Sequence, residues 1–195
     1  MRFRPRRLPS RTRTSRDRRR SPPRIDLSRH SARLFGSPFH RQVAILKTYL
    51  PLTFFIVLVL GGGSLIGASN IPGPWYEALD KPWFNPPDWL FGPVWSTLYV
   101  LIGIAGWRTW SRGPTSRLMW IWWVQLALNF AWSPVFFGAE QIGLALAVIL
   151  AMLAAILAFT ALAWSRDRTS ALLFVPYAAW VAFAALLNGS ILWLN

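Results

Sequence analysis

Residues 142–164 read IGLALAVILAMLAAILAFTALAW, with no charged side chain anywhere in the stretch. One helix needs roughly 20 consecutive apolar residues to cross the hydrocarbon core of a bilayer, so this stretch reads as a membrane span. A window moved outward from it finds four more, at 44–68, 89–110, 118–137 and 171–193. Within the five only Lys47 and Arg108 are charged, and each lies near an end, where a long side chain reaches the interface. Five apolar stretches joined by short polar links do not suit a soluble helical core. Barrel strands are excluded because no ten-residue segment alternates. The sequence therefore predicts an all-α membrane protein: a five-transmembrane-helix bundle at 44–195, preceded by a disordered basic tail at 1–43.

The charge supports that division. The whole chain carries +14, with a pI near 11.8, a mean hydropathy of +0.35 and 13 Trp in 195 residues, a combination foreign to one soluble domain with a mixed surface. Residues 1–47 hold 14 Arg and one Lys against two Asp, whereas the rest holds six basic and five acidic groups. The tail, RPRRLPSRTRTSRDRRRSPPR and onward, has too few apolar residues to offset its chain entropy. Four readings of it stay open: an arm on anionic lipid headgroups, an organelle presequence, a nucleic-acid-binding segment, and an over-extended gene start. Nucleic acid is the weakest of these, since the aromatic interleaving that stacks bases is missing. Five spans put the termini on opposite sides. Arg108, Arg112, Arg117, Arg166 and Arg168 then share the tail's side against Lys81 on the other, which predicts a cytoplasmic N-terminus.

Depth sorts the indoles. Trp107, Trp110, Trp120, Trp122, Trp123 and Trp164 fall at the basic interface, and Trp75, Trp83, Trp89 and Trp193 at or beyond the other. Trp95, Trp132 and Trp180 lie inside spans, where an N–H needs a partner or a ligand. Polar residues accompany them: Gln125, Asn129 and Ser133 at i, i+4 and i+8 beside Trp132, then Trp95 with Tyr99, and Trp180 with Ala184 and Asn188. Two readings fit, a pocket inside the bundle or hydrogen bonds that only hold helices together. Between Ile71 and Val94, IPGPWYEALDKPWFNPPDWLFGPV contains six Pro, which makes a stiff loop suited to cover one end of the bundle. There is no Cys, and His30 and His40 both sit in the tail, so the bundle offers no thiolate or imidazole ligand and no metal cluster. Gly143, Ala147, Ala151 and Ala155 place small residues every four positions along one span, either as a dimer seam or as close packing within one chain.

Three stretches, WYEALDKPWFNPPDWLFGPVWSTLY (75–99), QLALNFAWSPVFFG (125–138) and LLFVPYAAWVAFAALLN (172–188), resemble the signature segments of the TspO/MBR family of tryptophan-rich sensory and translocator proteins. The resemblance runs from about residue 50 to 195 and leaves out the tail. It implies a five-helix membrane bundle, commonly a homodimer, that binds tetrapyrroles such as protoporphyrin IX and other hydrophobic ligands. It places the pocket on Tyr76, Pro86, Trp95, Tyr99, Asn129, Trp132, Trp180, Ala184 and Asn188, and requires no cofactor. Porphyrin propionates would reach Asn129, Asn188 or Lys81. The implied role is a receptor or carrier in porphyrin handling rather than an enzyme. Two alternatives are light-dependent porphyrin degradation, with Trp95 as electron donor, and a sensory scaffold acting on a protein partner. One departure bears on sterols: no Lys or Arg follows Tyr177, so sterol transport is not carried over.

Overall fold

The computed structural model describes residues 49–195; the expected tail, with Lys47 and the start of the first span, lies outside the described residues. Helix α1 (Tyr49–Ser69) contains a π turn at Val57–Gly61. After it come the short α2 (Pro74–Ala78), a 3₁₀ turn at Asp88–Leu90 and α3 (Phe91–Arg112). Helix α4 (Arg117–Ser133) runs on into a second π turn, Pro134–Gly138, and α5 (Ile142–Trp164) and α6 (Arg168–Leu194) complete the chain. The described residues contain no strand.

Four helical stretches are long and apolar enough to cross a membrane: Tyr49–Ser69, Asp88–Arg112, Ile142–Trp164 and Arg168–Leu194. The fifth expected span, 118–137, is helical throughout but falls outside that set. Gln125, Asn129, Ser133 and four Trp lower its hydropathy, so it is the most polar wall of the bundle.

Local signals set the helix ends. The Ser116 hydroxyl caps α4 by accepting from the Met119 N–H at 3.2 Å, and Pro74 opens α2 where its missing N–H costs nothing. The Asn70 amide donates to the Ile66 carbonyl at 2.8 Å and closes α1. Helix α1 packs on α3, α3 on α6, α6 on α5, α5 on α4 and α4 back on α1, so the five long helices form a closed ring.

Two aromatic contacts tie that ring together at its basic end. Phe159 of α5 stacks on Phe174 of α6 with centroids 4.0 Å apart. Trp122 is fully buried, its edge against Phe55, and its indole donates to the Ile102 carbonyl of α3 at 3.1 Å. This corrects the interfacial reading of Trp122. Depth along the normal does not distinguish an inward ring from an outward one, and Gly106 leaves the room this ring needs: a Cβ there would lie 2.4 Å from it. Trp110, Trp120, Trp123 and Trp164 are exposed at the same end.

The bundle is clamped there by one carboxylate. Asp167, between α5 and α6, accepts from Arg108 Nε at 3.2 Å and Nη2 at 2.8 Å, pairs with Arg112 at 2.8 Å, and accepts the Ser170 hydroxyl. Burial works to raise its pKa, but the hydrogen bonds from Arg108 and Ser170 and the two guanidinium charges outweigh it and hold the carboxyl at about 2. Because the folded-state value lies below the ordinary one, the stabilisation is complete above pH ~5 and disappears as pH falls toward 2; by linkage it amounts to about 2 kcal/mol. Thermal melts in detergent should therefore show a loss of stability between pH 5 and 2. Asp167→Asn should lower the melting temperature at pH 7 and flatten that loss, and an unchanged pH profile would contradict the clamp.

Candidate ligand cavity

The helix ring encloses a cavity of about 790 Å³ at the end opposite the Asp167 clamp. Its walls come from α1, α3, α4, α5 and α6, with the 70–90 loop across the end. Tyr76, Trp95, Tyr99, Asn129, Trp132, Trp180, Ala184 and Asn188 all line it. Pro86 does not. It sits in the loop, where its carbonyl accepts the Asn85 amide at 3.2 Å, so it shapes the cover without forming wall.

Helix periodicity brings the wall residues together. On α4, Trp122, Gln125 and Asn129 share the inward face, and Ser133 extends it into the cavity. On α3, Trp95 and Tyr99 are one turn apart with ring centroids at 5.3 Å. The Tyr99 ring lies against Gly63 of α1, where a Cβ would come within 2.3 Å, so glycine there is what lets the phenol fill the seam.

Four hydrogen bonds connect the polar groups. Asn129 donates to the Tyr177 hydroxyl at 2.9 Å, and that hydroxyl donates to Met152 Sδ at 3.3 Å. The Trp132 indole donates to Asn188 Oδ1 at 3.2 Å, while the Asn188 amide donates to the Ile142 carbonyl at 3.1 Å, which ties α4, α6 and α5. Asn129, Trp132 and Asn188 thus do both: their polar atoms join helices and they line the cavity. Trp180 differs, since its buried N–H has no protein partner, and neither does the buried side-chain oxygen of Asn85.

The cover is aromatic and charged. Tyr76 packs its edge on Phe136 and Phe137 of the α4 π turn, and Trp132 stacks on Phe136 at 5.1 Å. Lys81 lies 4.6 Å from the Tyr76 ring centroid and donates to the Glu77 and Leu79 carbonyls at 3.2 and 3.3 Å. Burial first, and the Asp88 carboxylate second, push the Tyr76 phenol above its ordinary pKa. The Asn195 side chain fastens the loop to the end of α6, accepting from the Asp80 N–H at 3.0 Å and donating to the Asp80 carbonyl at 3.1 Å.

Sequence reasoning missed several lining residues: Asn70, Asn85, Asp88, Phe130 and Phe136. The loop residues carried a signal, because a stiff Pro-rich cover positions its polar side chains. Phe130 and Phe136 carried none that separates them from other apolar neighbours. Among the described residues no group of three His, Asp or Glu forms a metal cluster. A second, shallower groove of about 830 Å³ runs outside the bundle along α5 and α6, between the exposed Trp83 and Trp193.

A ring of membrane-length helices around an aromatic-walled cavity, closed at one end by a Pro-rich loop, defines an integral multi-pass membrane protein. The TspO/MBR family profile matches residues 54–194, and the chain belongs to that family. It is 38% identical over 146 residues to protein CrtK of Rhodobacter capsulatus, covering 73% of this chain and 90% of the relative. The tryptophan-rich protein TspO of Archaeoglobus fulgidus is 38% identical, over 75% of this chain and 96% of its own. The human translocator protein is 40% identical, over 65% and 79% respectively.

The hydrogen bonds make a prediction about Asn188. Asn188→Leu leaves the Trp132 N–H without an acceptor and removes the tie from α6 to the Ile142 carbonyl, and should destabilise the bundle by about 1–3 kcal/mol. Thermal melts in detergent check this; an unchanged melting temperature would show that the bonds contribute nothing.

Proposed function

We propose that this protein is a membrane receptor or carrier for tetrapyrroles such as protoporphyrin IX and for other hydrophobic ligands, with a sensory role in porphyrin handling. The observation that carries this is the cavity. Its ~790 Å³ lies in the range typical of small-molecule sites, and its mainly apolar walls combine indole, phenol and phenyl rings with amide, hydroxyl and charged groups. A flat macrocycle would stack on Trp95, Tyr99, Trp132 and Trp180, and its acidic edge would face Lys81, Asn129 or Asn188. Trp180 offers a further donor, with the local movement that exposes its N–H. The names of the relatives, tryptophan-rich sensory protein and translocator protein, support the same class.

In this reading all five long helices span the membrane, α4 included, with its polar face turned inward to the cavity. The basic side chains at the Asp167 end support a cytoplasmic N-terminus, with membrane lipid as the surrounding partner. No cofactor is required.

A homodimer belongs to the proposal. Gly143, Ala147 and Ala151 are exposed on the outer face of α5 and Ala155 is half-buried, so this row of small residues faces outward, free for a second copy. Ala147→Leu with Ala151→Leu should shift the detergent-solubilised protein from dimer to monomer by light scattering. A dimer that survives both substitutions would rule out this seam.

Light-dependent porphyrin degradation is the second reading, and one arrangement favours it: Trp95 lies 5.3 Å from Tyr99 and 6.3 Å from Tyr177 by ring centroid, so a hole left on its indole has aromatic neighbours. Titrating protoporphyrin IX into the detergent-solubilised protein, followed by porphyrin fluorescence, tests the main proposal. Ala184→Trp, which fills the cavity, and Trp95→Ala should each weaken binding about tenfold or more. Equal affinity in both variants would move the site elsewhere. Illuminating the same complex and following the Soret band separates the readings, since degradation predicts bleaching that Trp95→Phe abolishes.

A further inference from the structure

Two pairs of residues belong to the cavity wall and to the outer surface at once. Ser64 and Gly67 of α1, and Gly92 and Ser96 of α3, all line the cavity, and all four are exposed. They face one another where these two helices separate.

The separation has a local cause. Near the middle of the bundle α1 and α3 touch backbone to backbone: a Cβ on Gly103 would lie 3.0 Å from the Ile56 Cα. One turn further toward the cover, the Tyr99 ring fills the space against Gly63. Beyond that point α1 leaves α3 and leans on α4. Gly62 sits against the Phe130 ring, and the Asn70 side chain lies against Gly138. The π turn at Val57–Gly61 lies where the two directions meet, and an extra residue in a helical turn redirects a helix axis.

Like Gly61, which stands outside the cavity wall, the glycines at the gap are not packed against any neighbour. Gly62, Gly63, Gly103 and Gly106 each have a neighbour within 3.0 Å of where a Cβ would stand, so packing explains them. Around Gly67 and Gly92 nothing lies within 4 Å. Glycine in a helix costs up to about 1 kcal/mol relative to alanine, so open glycines on both rims of one gap are not accounted for by any contact inside the protein. They leave a smooth passage between cavity and bilayer.

We infer that the gap framed by Ser64, Gly67, Gly92 and Ser96 is a lateral portal, through which a flat apolar ligand passes between the lipid phase and the cavity without crossing the Pro-rich cover. This rests on the reading of the cavity as a ligand site. A ligand of this class partitions into the bilayer before it meets protein, and the portal opens onto that phase. The two rim hydroxyls give its polar edge somewhere to pass.

The chain contains no Cys, so a single thiol introduced by Ala184→Cys reports on the cavity alone. In liposomes, its labelling by bilayer-dissolved N-pyrenylmaleimide is compared with and without Gly67→Leu and Gly92→Leu. Both leucines enter open space and favour helix, so the fold is retained. The portal predicts that the paired leucines slow labelling about tenfold or more, and that they slow both association and dissociation of protoporphyrin IX. Labelling at the wild-type rate in the leucine variant overturns the portal. Failure of protoporphyrin IX to bind the unsubstituted cavity would overturn the ligand reading instead, and the labelling comparison would still decide the portal.

Discussion

A polar hydrogen placed in hydrocarbon is costly unless it finds an acceptor within the protein, since the surrounding lipid offers none. That constraint organises the bundle. Lipid tails are as apolar as the helices they surround, so burial of apolar surface does little to choose which faces turn inward. The indoles and amides choose. Trp122 reaches the Ile102 carbonyl, Asn129 reaches Tyr177, and Trp132 reaches Asn188, which reaches Ile142. Each bond joins two helices and fixes their rotation about their own axes.

The same residues border the cavity. Trp95, Tyr99, Trp132 and Trp180 stand around it, and Trp132 is held in place by its bond to Asn188. At the other end Asp167 closes the bundle electrostatically, with two guanidinium groups and a hydroxyl on one buried carboxylate. One end is thus tied by charge, the other is covered by a Pro-stiffened loop, and the cavity lies beneath the cover.

Much of this was legible in the sequence, because hydropathy runs and the positions of Trp, Asn and Gln along each span carry direct physical meaning. The helices follow from them, as do the wall residues on the spans, Trp95, Tyr99, Asn129, Trp132, Trp180, Ala184 and Asn188, whereas Tyr76 followed only from the family resemblance. The exceptions have specific causes. Trp122 was placed at the interface by its depth, although it shares the inward stripe with Gln125 and Asn129, three and seven residues on, and that spacing was the better guide. Pro86 shapes the loop from behind, and the wall is formed by its neighbour Asn85. The helix at 118–137 is less apolar than the other four because its polar residues face the cavity. The Asp167 clamp joins groups 59 residues apart, and the α1–α3 gap depends on where a π turn falls; neither leaves a mark in a hydropathy window.

The central claim is that the interior of the helix ring, and not its lipid-facing surface, holds the ligand. Photo-crosslinking with a diazirine-bearing porphyrin in liposomes, followed by mass-spectrometric mapping of the modified residues, tests it directly. The account predicts adducts on Trp95, Tyr99, Asn129, Trp180 and Ala184, competed away by excess protoporphyrin IX. Adducts confined to the outer groove, on Leu150, Leu186 and Trp193, would contradict it.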